Sequence, residues 1–266
     1  MTQPDTARPT VDAAGMFDLG GRIAVVTGAS RGIGAALAIG LANAGCDVAI
    51  TARSATDLDA TAEAIRAKGR SALPIAMDVR DSGAIASAVA KVVAALGAPD
   101  ILINNAGVED VRASTEVDDE LWDRIVDTNL RGAFFCAREV GRVMLARQRG
   151  SIINMCSLAS GIGIPTATPY GASKTGLLGV TRALSTEWLP GGVRVNAIAP
   201  GYFRTAMTEG FYRNPDWQAS MLAKIPAHRF GNLEDLIGSA IFLASDASLY
   251  VSGQVIYVDG GYMASV

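Results

Sequence analysis

A chain of 266 residues that is 50% hydrophobic and 18% charged carries enough apolar material for a substantial core and too few charges for a disordered chain. Its net charge of −3 at pH 7 lacks the basic surplus of a nucleic-acid-binding domain, and no apolar run approaches the ~18 residues that a membrane-spanning helix needs. Residues 1–15, rich in Thr, Pro, Asp and Ala and without an apolar stretch, read as a flexible N-terminal tail rather than a secretory signal.

Beyond the tail, short apolar runs alternate with longer helical patterns. Arg22–Thr27 reads as a buried strand and Gly34–Ala44 as a helix. Asp47–Thr51 and Ala55–Lys68 repeat the pair, followed by Ser71–Met77 and Ser82–Ala95. Asp100–Ile103 is a fourth strand, Leu121–Arg147 long helical material and Gly150–Met155 a fifth strand. Tyr170–Trp188 is helical, Val193–Ile198 a sixth strand, Leu233–Ala244 a helix, and Gly253–Val258 a closing seventh strand. Runs that are apolar throughout suit a parallel sheet covered on both faces. Strict alternation predicts one doubly wound α/β domain over residues 16–266: a seven-stranded parallel sheet with helices on both faces. Pro200–Ala227 breaks the rhythm. It holds Tyr202, Phe203, Phe211, Tyr212 and Trp217 and reads as an irregular insertion over the substrate, a lid at about 200–227.

Three cysteines, Cys46, Cys136 and Cys156, lie in apolar surroundings, which predicts buried reduced thiols and a cytoplasmic location. The single histidine, His228, has no cluster of ligand-type residues around it, so no metal site and no histidine triad is expected.

The first strand runs into Gly28-Ala29-Ser30-Arg31-Gly32-Ile33-Gly34 at a strand-to-helix junction. Glycines there allow a tight turn and close approach of backbone N–H groups to a pyrophosphate, to which the helix N-terminus adds favourable partial charge. The spacing differs from G-x-G-x-x-G, and a plain turn is the alternative. Where the second strand ends, an NAD site often places a carboxylate for the ribose hydroxyls. This chain has Ala52 and Arg53 instead. Arg31 and Arg53 could clamp a 2′-phosphate, which predicts NADP(H) rather than NAD(H); two solvated surface arginines are the alternative.

Tyr170 and Lys174 stand four apart at the start of a predicted helix, on one face. A nearby cation lowers a phenol's pKa, and a phenol so tuned can exchange a proton with a carbonyl oxygen. Ser157, after the fifth strand, could bond the same oxygen.

Taken together, Thr27-Gly-x-x-x-Gly-Ile-Gly34, Asp78-Val79, Asn104-Asn-Ala-Gly107, Asn129, Ser157, Tyr170, Lys174, Pro200-Gly201, Thr205 and Asp259-Gly260-Gly261 make residues 17–262 resemble the short-chain dehydrogenase/reductase family. The resemblance implies a Rossmann fold and a homotetramer, with a homodimer as the alternative. It implies that Tyr170 is general acid in reduction and base in oxidation, that Lys174 bonds the nicotinamide ribose and lowers the phenol's pKa, and that Ser157 orients the substrate oxygen. Asn129 would hold a water in a proton relay. Asp78 would contact adenine, Asn105 the adenosine-side ribose region and Thr205 the nicotinamide amide. Ser30, Gly32, Ile33, Val79, Ala106, Gly107, Pro200 and Gly201 join the cofactor-binding set.

The C-terminal half, with Ala199-Pro-Gly-Tyr-Phe-Arg-Thr205, resembles the gluconate 5-dehydrogenase branch, which implies a small-molecule hydroxy or keto sugar acid as substrate, with Arg112 and Arg204 as candidate carboxylate partners. A 3-oxoacyl thioester reductase, docking an acidic carrier protein on Arg138, Arg142, Arg147 and Arg149, remains open. So do a broad ketone reductase using the lid aromatics and a dinucleotide-binding regulator without turnover.

Overall fold

The computed structural model describes residues 12–206 and 208–265. Residues 1–11, most of the expected tail, lie outside the described residues; at its end Gly15–Phe17 forms one 3-10 turn.

Seven strands form one parallel sheet: β1 (Ile23–Thr27), β2 (Asp47–Ala52), β3 (Ala72–Ala76), β4 (Ile101–Asn104), β5 (Gly150–Met155), β6 (Val193–Pro200) and β7 (Val255–Val258). Their order is β3-β2-β1-β4-β5-β6-β7. The chain builds outward from β1 in one direction, then returns to build from β4 in the other. The two halves meet between β1 and β4, where Val25 pairs with Leu102. At such a reversal the loops leave the carboxyl ends in opposite directions and open a crevice for a ligand.

Period-two alternation divides the sheet's side chains between two cores. Ala24 and Val26 of β1 face a core shared with α1 (Gly32–Asn43), α2 (Asp59–Arg66) and α9 (Ile237–Ala244). Val25 faces the other, built with α3 (Ser82–Ala95), α5 (Gly132–Ala146) and α6 (Thr168–Trp188). Every residue of β4 and β6 is buried, as the apolar runs require.

The long helical material is α4 (Asp119–Val126), running through a π-turn, Asp127–Arg131, into α5. One expectation needs correction. The insertion is not irregular. It contains α7 (Glu209–Tyr212) and α8 (Pro215–Lys224). Asn214 caps α8, its Oδ1 accepting from the N–H groups of Asp216 and Trp217 at 3.0 and 3.1 Å, and Pro215 occupies the first turn, where its missing N–H costs nothing. That Asn-Pro pair was the helix signal in the sequence, obscured by the short apolar spacing around it.

Candidate active site

The carboxyl ends of β1 and β4 are stitched together. Thr27 Oγ1 accepts the N–H groups of Asn105 and Ala106, each at 3.0 Å. Asn105 Nδ2 donates to the carbonyls of Thr27 and Gly28 at 3.0 and 2.9 Å. The turn out of β1 needs its glycines. Gly28 has φ +64°, and a Cβ there would lie 2.8 Å from Ala106 Cα. A Cβ on Gly34 would collide with the Gly28 carbonyl oxygen.

This turn opens into a cleft of about 750 Å³. All the sequence-derived cofactor residues line it, from Gly28, Ser30, Arg31, Gly32, Ile33 and Gly34 on the turn to Pro200, Gly201 and Thr205 at the end of β6. Arg53, Asp78 and Val79 line one end, and Asn105, Ala106 and Gly107 the middle. The residues fit a dinucleotide. The turn keeps its space free of Cβ atoms, the first turn of α1 carries no acidic residue, and neither Arg31 nor Arg53 is held in an ion pair among the described residues. Two members are less free than expected. The Asn105 amide nitrogen is committed to the β1 backbone, so the side chain is first a strut for the turn. Asp78 is held by Arg80 at 2.8 Å, an arginine the sequence reading missed, and that hydrogen bond keeps the Asp78 carboxyl below its usual range. Asp57, also missed, lines the same end.

At the other end stand Ser157, Tyr170 and Lys174. Ser157 caps a 3-10 turn, its Oγ accepting from Ala159 N at 3.2 Å. Lys174 is buried, its Nζ donating to the Met155 carbonyl at 2.7 Å and lying 5.6 Å from the centre of the Tyr170 ring. Lys174 is not among the groups that shift the Tyr170 phenol. Burial, with the Glu109 carboxylate adding to it, pushes the Tyr170 phenol above its ordinary range, and a hydrogen bond from Ser157 opposes the shift. Lys174 itself is pushed down by burial. The ammonium is drawn toward the β5 backbone and leaves the phenol protonated at neutral pH.

Asn129 does not line the cleft. It is buried in the π-turn behind it, with Oδ1 accepting from Val108 N at 2.8 Å and Nδ2 donating to Val108 O at 2.9 Å and Ser173 Oγ at 3.1 Å. Its amide is fully used in tying the segment after β4 to α6.

The roof of the reacting end is aromatic. Trp217 stacks on Phe230 with centroids 6.0 Å apart and meets Tyr202 and Tyr212 edge-on at 5.7 and 5.3 Å. Tyr202, Phe211, Tyr212 and Trp217 all line the cleft.

The candidate anion-binding arginines are occupied elsewhere. Arg204 makes a two-pronged pair with Glu209, 2.8 Å on each prong, and Arg112 lies 3.4 Å from Asp118 and 3.8 Å from Asp110; neither lines the cleft. Arg138 and Arg142 share Glu139, and Arg147 and Arg149 share Asp100, so the four cations expected to dock a carrier protein are partnered within the chain. The sequence also missed Glu109, a half-buried acid on the cleft wall just past Gly107.

Comparison with known proteins agrees with this arrangement. A short-chain dehydrogenase/reductase family model described as enoyl-(acyl carrier protein) reductase matches residues 28–263. The gluconate 5-dehydrogenase of Gluconobacter oxydans (strain 621H) is 40% identical over 251 residues, covering 94% of this chain and 98% of that one. A solved structure from Sinorhizobium meliloti 1021, provisionally described as a short-chain alcohol dehydrogenase, is 58% identical with a TM-score of 0.93, covering 94% and 100% of the two chains. A gluconate 5-dehydrogenase from Burkholderia cenocepacia J2315, crystallised in complex with NADP and tartrate, is 37% identical with a TM-score of 0.92 and coverage of 94% and 98%.

Proposed function

The chain belongs to the short-chain dehydrogenase/reductase family, and on that premise we propose that it interconverts a carbonyl and a secondary alcohol with NADP(H), with Tyr170 as general acid in reduction and general base in oxidation. The observation that carries this reading is the meeting of the Tyr170 phenol, the Ser157 hydroxyl and the Lys174 ammonium at one end of a cleft whose other end is a glycine-rich turn flanked by two unpaired arginines.

When bound, the nicotinamide supplies or accepts the hydride; the protein supplies position and protons. Ser157 Oγ already accepts a backbone N–H, so its proton is the part left to offer a substrate oxygen. Tyr170, protonated at neutral pH, donates to the same oxygen as a carbonyl is reduced. Lys174 spends one of three donors on Met155 and keeps two for a ribose. Asn129, its side chain fully engaged, would hold a relay water through the main chain of the π-turn. Arg31 and Arg53 would take a 2′-phosphate, Asp78 and Val79 would border the adenine, Gly107 the adjoining ribose, and Thr205 the nicotinamide amide. NADP in the Burkholderia structure supports the same cofactor choice.

A hydroxy or keto sugar acid of the gluconate type is the substrate that the curated relatives support. Its acid group would not be held by Arg112 or Arg204, which are bound to acids of the protein. The segment carrying α7 and α8 acts as the lid, excluding water behind its aromatic face. A homotetramer fits the exposed Leu249, Tyr250 and Trp122 as surfaces to be covered, and the three buried free thiols fit the cytoplasm. Among the described residues no helix is long and apolar enough to cross a membrane.

Tyr170→Phe keeps the ring and removes the proton. Turnover falls by about a thousandfold or more, while NADPH titrated by its fluorescence binds as tightly as to the wild type. A variant retaining a tenth of wild-type turnover, on the order of what a bystander hydroxyl would leave, overturns the assignment.

A further inference from the structure

The wall of the cleft between the catalytic pair and the lid carries one carboxyl group that the proposed reaction does not use. Glu109 follows β4, and its position is fixed, because the preceding Val108 is clamped at both N–H and carbonyl by the Asn129 amide. The side chain lines the cleft close enough to act electrostatically on Tyr170, Lys174 and Tyr202. Burial raises its carboxyl above the usual carboxylate range, and the Lys174 charge offsets part of that rise.

The surrounding acids are spoken for. Asp110 holds Arg124 at 2.8 Å, Asp118 holds Arg112 and Glu209 holds Arg204. Among the described residues, no hydrogen bond or ion pair engages the Glu109 carboxylate. A polar group withdrawn from water without a partner is costly, so a substrate that brings a donor to Glu109 is favoured over one that does not.

Three kinds of substrate group can be weighed. A carboxylate beside Glu109 is repelled. An ammonium is repelled by the Lys174 ammonium. A hydroxyl is uncharged and donates. We propose that Glu109 is the specificity-determining residue of this site, its carboxylate accepting a hydrogen bond from a hydroxyl on the carbon next to the reacting carbon. The substrates are then vicinal diols and the corresponding α-hydroxy ketones. This inference rests on the carbonyl/alcohol reading above and deepens it. It keeps the polyhydroxylated class, places any acid group of the substrate away from the reacting end, and disfavours aryl ketones and acyl chains, which leave Glu109 desolvated and unpaired.

The test is a matched pair of alcohols differing by one hydroxyl, cis-1,2-cyclohexanediol and cyclohexanol, oxidised with NADP+. A site built to bond a hydroxyl rejects the analogue lacking it, so the wild type prefers the diol in kcat/KM by about thirtyfold or more. Glu109→Ala brings the two within about threefold, while Glu109→Gln, which keeps an acceptor oxygen, lies between. The same contrast is read without turnover, in Tyr170→Phe loaded with NADP+: the diol raises the melting temperature more than cyclohexanol does, and the difference disappears when Glu109→Ala is added. A wild-type ratio near one, a ratio unchanged in Glu109→Ala, or equal thermal shifts overturns the role of Glu109 and leaves the hydride-transfer reading standing. Turnover surviving in Tyr170→Phe overturns that reading instead.

Discussion

Arg53 stands at the carboxyl end of β2, and Arg31 caps α1 without a side-chain hydrogen bond of its own. Two guanidinium groups without ion-pair partners among the described residues, at the edge of a cleft, are well suited to a phosphate, since planar forks match its oxygens. Charge-assisted bonds contribute about 1.5–3 kcal/mol each, so replacing either arginine by alanine lowers the NADP+ to NAD+ ratio of kcat/KM by roughly ten- to a hundredfold. Unchanged ratios in both variants would mean that the cofactor's phosphate is held elsewhere, with Arg80 the next candidate. The cofactor turn was legible residue by residue, because glycine spacing at a strand-to-helix junction has a backbone cause. The surroundings of the tyrosine were not. Helical spacing placed Lys174 on the same face as Tyr170, but only the folded chain shows the ammonium drawn to Met155 and a carboxylate, Glu109, nearby. Charges brought together by different loops leave no mark in a local pattern.

At the scale of elements, α5 and α6 pack closely because glycine faces an indole. A Cβ at Gly141 of α5 would lie 2.7 Å from Cζ3 of Trp188, at the end of α6. Trp188 is buried, so it cannot swing clear. Gly141→Ala is therefore expected to cost about 1–3 kcal/mol through overpacking, despite alanine's better helix propensity. Urea unfolding measures it, and a midpoint at or above that of the wild type would show that the tryptophan moves aside. Helix and strand identities in the sheet region followed from apolar runs and turn residues, with most ends shifted by a residue or two and the starts of α2 and α9 by four. The π-turn at Asp127–Arg131 did not, since its residues are helix-compatible; what fixes it is the burial of Asn129 against Val108 and Ser173. α8 was hidden differently. Its apolar and aromatic residues face a roof shared with Tyr202 and Phe230 from other segments, so its spacing lacks a clean helical period.

For the molecule as a whole, three separate apolar clusters enclose the three thiols. Burial pushes Cys46 and Cys136 from 9.0 to about 12. A raised folded pKa means that the unfolded chain gives up its proton first. The stability that these thiols contribute is complete below pH 9.0 and is lost as pH rises toward about 12. The melting temperature should fall across that window, and less steeply in a Cys46→Ala, Cys136→Ala protein. Iodoacetamide at neutral pH should leave the native chain unmodified and label all three cysteines in denaturant. Rapid labelling of the folded protein would contradict the enclosure described here.

The sequence alone determined the doubly wound fold and the glycine-rich turn that opens the crevice, and it singled out the trio proposed for proton transfer. Each of these is written locally: apolar runs make buried parallel strands, glycines mark the turn, and an i, i+4 pair shares a helix face. Only the tertiary structure decided which cleft arginines and which cleft carboxylate have no partner among the described residues, and where the lysine's charge points. Those outcomes depend on distances between groups far apart in the chain, and electrostatic interactions in a desolvated cleft change with every ångström and every neighbouring charge.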